Sequence, residues 1–135
     1  MKPITTIVCI AAMAWLTSNN AYACSCKLAS AERDAQRTTI IFKGFVAEGP
    51  SNELEDRRDY KFTPTKIYKG DQYKNLTIYS PRSTCGQFFE KNIEYMVFAF
   101  EYKGKLLTNI CSSWPILKEY TSETKEIEEY FNQRK

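Results

Sequence analysis

Four cysteines constrain this chain more than any other feature: Cys24, Cys26, Cys85 and Cys111, all downstream of a segment built like an export signal. Residues 1–23 carry the three parts of such a signal. Lys2 supplies a positive start, Ile4 to Leu16 form a thirteen-residue, mostly apolar run, and polar Thr17-Ser18-Asn19-Asn20 leads into an A-x-A cleavage site, Ala21-Tyr22-Ala23. The run is shorter than the roughly 20 apolar residues that a bilayer span needs. Bulky Tyr22 stands where lipoprotein signals carry a small residue, which points to ordinary signal peptidase. Cleavage after Ala23 discards Cys9, makes Cys24 the first residue, and leaves residues 24–135 as one secreted or periplasmic domain. An even set of cysteines in a short exported chain reads as disulfides.

Geometry removes one of the three pairings. A Cys24–Cys26 bridge would close a small strained ring. Cys24 and Cys26 are therefore each tied to one of the distant pair, and both remaining pairings stay open. Each bridge closes a loop of roughly sixty residues or more, which constrains the unfolded chain by on the order of 4 kcal/mol. The competing reading is a zinc site made of all four cysteines. A C-x-C and two isolated cysteines lack the paired knuckles that such sites use, and an exported chain meets an oxidising compartment.

The composition suits one globular domain: 135 residues, 43% hydrophobic and 26% charged. A net charge of +3 is too small to argue by itself for nucleic acid. Histidine is absent, which removes Ser–His and Cys–His catalysis, His-ligated zinc hydrolysis and imidazole pH switches together. Catalysis would have to rest on carboxylates or lysine, and no Asp/Glu pair sits in a motif of defined geometry. The chain reads as a non-enzyme with no cofactor.

Residues Leu28 to Arg37 are helix formers without Gly or Pro. Thr39 to Glu48 is a β-branched and aromatic run, hence a strand, and Gly44 within it predicts a bulge or bend. Glu53, Glu55 and Asp56 lie in a polar turn and read as a solvated hairpin tip rather than a cation site. Arg58 to Tyr68 is a second strand, with Tyr60, Phe62, Lys66 and Tyr68 on one parity and Pro64 marking an edge or a bulge. Leu76 to Ser80 is a third, and Asn75-Leu76-Thr77 within reach of it is a glycosylation sequon that matters only in a glycosylating host. Ile93 to Tyr102, apolar on both faces, is a central fourth. Lys103-Gly104 then turns into a fifth, Lys105 to Ile110. Thr121 to Asn132 is a helix that Thr121 or Ser122 could cap, with an apolar stripe of Ile127, Tyr130 and Phe131.

Five short strands, a bend glycine and a helix at each end predict a mainly β fold: a small five-stranded closed barrel of the OB type with flanking N- and C-terminal helices. Such barrels often hold single strands through aromatic stackers and basic grooves. Tyr60, Phe62, Tyr68, Lys66 and Lys69 could be cast that way, but core aromatics and a solubilising rim account for them better. The expectation is no nucleic acid, no membrane association once the signal is removed, and a monomer.

Cys24-Ser25-Cys26 directly after the cleavage site, Ser83-Thr84-Cys85-Gly86, Tyr95-Met96-Val97-Phe98-Ala99, and Gly104-Lys105-Leu106-Leu107-Thr108 before Cys111 together resemble the tissue inhibitors of metalloproteinases. The likeness is to their netrin-like N-terminal domain, above all in short single-domain bacterial members, and it covers Cys24 to Cys111. The resemblance implies the pairing Cys24–Cys85 and Cys26–Cys111. It also implies a wedge in which Cys24, Ser25, Cys26 and Lys27 lie beside Ser83, Thr84 and Cys85, aimed at a zinc metalloendopeptidase. Cys24 would then ligate the target's zinc through its amine and carbonyl. The chain differs from animal members in lacking a third disulfide, in having only a helix after Cys111, and in carrying Lys27 where they have a small polar residue followed by proline. Asn92 falls where netrin-like domains often place glycine, in the turn before the central strand. The alternative use of the same scaffold is an extracellular binding or adhesion module without inhibitory activity.

Overall fold

The computed structural model describes residues 24–26, 31–51, 56–117 and 121–134. The signal segment, Lys27, Glu53 and Glu55 lie outside these residues, as do the first three residues of the expected N-terminal helix. Among the described residues eight elements follow in order: helix α1 (Ala31–Arg37), strands β1 (Ile40–Ser51), β2 (Arg57–Lys69), β3 (Leu76–Pro81), β4 (Glu94–Tyr102), β5 (Lys105–Leu107) and β6 (Ser113–Pro115), and helix α2 (Thr121–Asn132).

The sheet runs β1-β2-β3-β5-β4-β6, and β1 also pairs with β4, so the first five strands close into a barrel. All of these ladders are antiparallel except β3–β5, where Ile78 and Tyr79 face Leu106 and Leu107 in parallel. The fold is therefore mainly β, an OB-like closed barrel with a helix on either side in sequence. The two apolar faces of β4 explain its central place. Tyr95, Val97 and Ala99 point into the barrel, while Met96 and Phe98 point out and are covered by Ala31, Ala35 and Ile127 of the two helices. Trp114 of β6 stacks on Phe98 at 5.5 Å between ring centroids.

Closure needs sharp curvature, and the β1–β2 ladder, irregular at four places, supplies it most clearly at Gly44. Gly44 faces Pro64, Lys43 faces Lys66, and Thr65 is the extra residue of a bulge. A Cβ on Gly44 would stand 2.6 Å from the Thr63 carbonyl oxygen, so only glycine allows this approach. Pro64 costs no ladder bond to β3, because β3 pairs with β2 only as far as Phe62.

The bulge corrects the strand parity expected from the sequence. Tyr60 and Phe62 are fully buried inside the barrel. Past Thr65 the sides exchange: Ile67 turns to the barrel core and Tyr68 turns outward to α2, stacked on Phe131 at 5.7 Å. Tyr60 and Phe62 are thus unavailable as base stackers. Lys69 donates to the carbonyls of Ala35 and Thr38, closing the C-terminal end of α1.

Three further expectations need correction. The fifth strand ends at Leu107 and not at Ile110, because Thr108 to Ser112 folds into a turn of its own. A sixth strand, β6, follows that turn on β4. Thr121 and Ser122 lie within α2, so neither is the residue preceding its first turn. The Lys103-Gly104 hairpin stands as expected, with positive φ at both residues as a tight type I′ turn requires. Asn92 also has positive φ, 66°, the conformation that Asn adopts most readily after Gly.

Candidate functional site

The residues that the resemblance singles out meet at one end of the barrel, where β3 and β5 leave the sheet. Cys24 is bonded to Cys85, with Cα atoms 5.2 Å apart across 61 residues. Cys26 is bonded to Cys111, also at 5.2 Å, across 85 residues. This is the pairing that the resemblance implies, and it takes all four cysteines out of any zinc site. Among the described residues no group of three or more His, Cys, Asp or Glu could hold a metal ion.

The three-residue strap Cys24-Ser25-Cys26 thus spans two loops, one after β3 and one after β5. Those loops are themselves joined: the Ile110 N–H donates to the Cys85 carbonyl at 3.1 Å. Ser25, held between two half-cystines, is exposed, as are Ser83 and Thr84, while Cys24 and Cys85 are half-buried.

Sequence and packing fix the β3 loop tightly. The Ser83 hydroxyl accepts the Cys85 N–H at 3.3 Å, and the Ser83 carbonyl accepts the Gly86 N–H at 2.9 Å. A Cβ on Gly86 would sit 1.6 Å from the Pro81 carbonyl oxygen, so no other residue fits the turn without moving backbone. Buried Ser80 accepts the Gln87 N–H at 2.7 Å. Beyond it Phe89 plugs the barrel end, its ring 5.0 Å from Phe62 and 4.9 Å from Tyr95. The exposed ridge is therefore anchored a few residues away in the apolar core.

The β5 loop is fixed by polar side chains that the strand reading of 105–110 missed. Thr108 donates to the Phe98 carbonyl at 3.0 Å from a buried position. The Asn109 side chain accepts the Cys111 N–H at 2.8 Å, and the Ser113 hydroxyl donates to the Asn109 carbonyl at 2.8 Å. Ser112 accepts the Asn109 N–H and bonds the Thr108 hydroxyl, both at 3.1 Å. The signal was present in the composition of Thr108-Asn109-Ile110-Cys111-Ser112-Ser113: Thr, Asn and Ser at this density bond neighbouring backbone and compete with a ladder.

The described side chains of the ridge carry no charge: they are two disulfides and the hydroxyls of Ser25, Ser83 and Thr84. They offer hydroxyl and backbone hydrogen-bonding groups in a fixed, exposed frame, and among the described residues of the ridge none is a nucleophile paired with a base. No family model matches the sequence. No curated protein matches it either.

The four bridged cysteines place the folded protein in an oxidising, extracytoplasmic environment. No helix among the described residues is long and apolar enough to cross a membrane.

Proposed function

We propose that this chain is a secreted or periplasmic inhibitor of zinc metalloendopeptidases, acting through a wedge made of Cys24, Ser25 and Cys26 beside Ser83, Thr84 and Cys85. Lys27, which the resemblance adds to the wedge, lies outside the described residues. One observation carries the reading: a three-residue segment, directly after the A-x-A that reads as a signal-peptide cleavage site, is strapped by two disulfides across neighbouring loops with Ser25 exposed. A binding module that used another face would not need that strap.

The mechanism follows from the terminus that cleavage after Ala23 creates. A catalytic zinc keeps an open coordination position, normally filled by water. The α-amine and carbonyl oxygen of Cys24 close a five-membered chelate on that ion and displace the water. An α-amine titrates near pH 7.7–8.0, so deprotonating it at neutral pH costs only about 1 kcal/mol, which metal ligation offsets. A lysine amine, near 10.4, costs several times more. The Cys24–Cys85 bridge holds the chelating group in position beforehand, which reduces the ordering cost of a free terminus.

The test compares two proteins with identical folds. Protein beginning at Cys24 inhibits a zinc endopeptidase and loses potency as pH falls below about 7, where the amine is protonated. Protein with one extra Ala before Cys24, or with an acetylated amine, inhibits far more weakly. Equal inhibition by the extended form rules the chelate out, and no inhibition by either form favours the binding module.

A further inference from the structure

The outer side of β2–β3–β5–β4 carries a second surface that the ridge does not use. Residues facing each other across a ladder share a side of the sheet, so the registers define two rows. One row is Asp59, Tyr79, Leu107 and Phe100; beside it Lys61 faces Thr77 and Lys105 faces Tyr102. The barrel core claims the alternate residues Tyr60, Ile78 and Leu106. Neither helix reaches this far along β4. Met96 and Phe98 are covered, whereas Phe100 and Tyr102, on the same side of the strand, are 40% and 58% exposed.

Cations are held flat on this surface. Arg57 and Lys105 both lie against the Tyr79 ring, at 5.2 and 5.1 Å from its centroid, and Lys103 lies 5.2 Å from the Tyr102 centroid. Among the described residues two carboxylates face them: Asp59, buried beneath Arg57, and Glu48, which pairs with Lys61 at 2.6 Å. Both offset a cation of their own, which leaves Lys103 and Lys105 as the excess positive charge beside exposed aromatic rings.

We propose that this face binds an acidic polysaccharide with one carboxylate per sugar ring, the rings stacking on Phe100 and Tyr102 and the carboxylates meeting Lys103 and Lys105. The chemistry selects this partner. Flat aromatic surfaces accept the C–H faces of sugar rings, and cations braced on aromatic faces are preorganised for spaced anions. Two excess cations over a short face match a polymer of low charge density better than a densely sulfated one. The disulfides place the protein where cell-wall and matrix polysaccharides are present and nucleic acid is scarce.

The experiment titrates the disulfide-bonded protein with oligogalacturonate, following backbone amide shifts and binding heat. Expected are shifts along Tyr79, Phe100, Tyr102 and Lys105, affinity that falls as salt rises, and no binding of the fully methyl-esterified oligomer. Tyr102→Ala and Lys105→Gln each weaken binding by about tenfold or less, and together by more, with the fold intact by near-ultraviolet circular dichroism. Inhibition by the ridge, if present, stays as it was in both variants, which separates this proposal from the protease reading. Equal binding of the esterified oligomer, equal or tighter binding of heparin or of oligothymidylate, unchanged affinity in both variants, or no binding at all overturns it.

Discussion

Phe62 and Ser25 mark the two extremes of this molecule. Phe62 is fully buried on β2, its ring edge-on to Phe42 at 5.5 Å and to Phe89 at 5.0 Å. Ser25 stands exposed on the ridge between two half-cystines. The barrel around Phe62 is held by removal of apolar surface from water, a force without direction that any well-packed core supplies. The ridge cannot use that force, because a surface that meets a partner must keep its groups exposed. It is positioned instead by two covalent bridges and by local hydrogen bonds from Ser83, Asn109 and Ser112. Where burial cannot hold a segment, crosslinks and turn chemistry take its place.

Removing a fully buried ring on the core side tests the first half of that comparison. Phe62→Ala opens a cavity among the aromatic rings and should cost about 3–5 kcal/mol. Urea unfolding followed by tyrosine and tryptophan fluorescence reads it. A loss under about 1 kcal/mol would mean that the interior collapses around the gap and that the ring cluster does not set stability.

The second half is tested by opening the strap. Cys26→Ser with Cys111→Ser removes the bridge across 85 residues and should cost about 2–5 kcal/mol, largely by freeing the unfolded chain. The barrel registers should survive in the folded fraction, while amide exchange at Ser25 and Cys111 rises sharply. Unchanged protection at those amides would show that the hydrogen-bonded turn alone holds the ridge.

The same contrast decides what could be read from the sequence. Periodicity reports burial, so β1 through β4 and the apolar stripe of α2 were legible, and so were the bend at Gly44 and the turn at Lys103-Gly104. The exchange of sides after Thr65 was not: one extra residue reverses every later side chain, and no local preference marks which residue is extra. The three-residue β6 is too short to show a period, and it ends in Pro115. At the ridge, the cysteines were legible as a disulfide set, but spacing left two pairings open, and only the resemblance chose between them. Thr108 to Ile110, the first half of the next turn, reads as strand because Leu106, Leu107 and Ile110 dominate the pattern over the hydrogen-bonding side chains of Thr108 and Asn109.

Weaker than either core or ridge is the ion pair that docks α2. Glu128 accepts from Lys43 Nζ at 2.9 Å and from the Tyr68 hydroxyl at 2.7 Å. Lys43 first, and then Tyr68, hold the Glu128 carboxyl below its ordinary 4.5, while burial and that carboxylate push the Tyr68 hydroxyl up. A carboxyl with a depressed folded pKa adds stability above its unfolded pKa and loses it as pH falls through the folded value. The stabilising contribution is therefore complete at neutral pH, begins to fade near pH 4.5 and is lost as pH falls through the lower folded value. A third of the Glu128 side chain is in solvent, so it amounts to no more than about 1 kcal/mol. Glu128→Gln should lower the melting temperature at pH 7 and leave it nearly equal to the parent's at pH 3. A gap of the same size at both pH values would assign the loss to packing rather than charge.

The smallest effect on stability is expected at Ser25, and it sharpens the comparison most. The side chain is exposed, and no core residue depends on it, so Ser25→Gly or Ser25→Arg should shift unfolding by no more than about 0.5 kcal/mol. Binding should respond differently. On the proposed wedge, Ser25 enters the specificity pocket of the protease beside its zinc, where a small hydroxyl suits many pocket mouths. Ser25→Gly removes contacts and weakens inhibition across targets. Ser25→Arg adds a long cation that only acidic or roomy pockets accept, so its target range narrows while affinity for those few is kept. Inhibition constants for both variants over a panel of zinc endopeptidases, measured beside their melting temperatures, separate the two roles. If both variants inhibit every susceptible protease as well as the parent does, Ser25 lies outside the interface and the crest of the ridge is not what the partner reads.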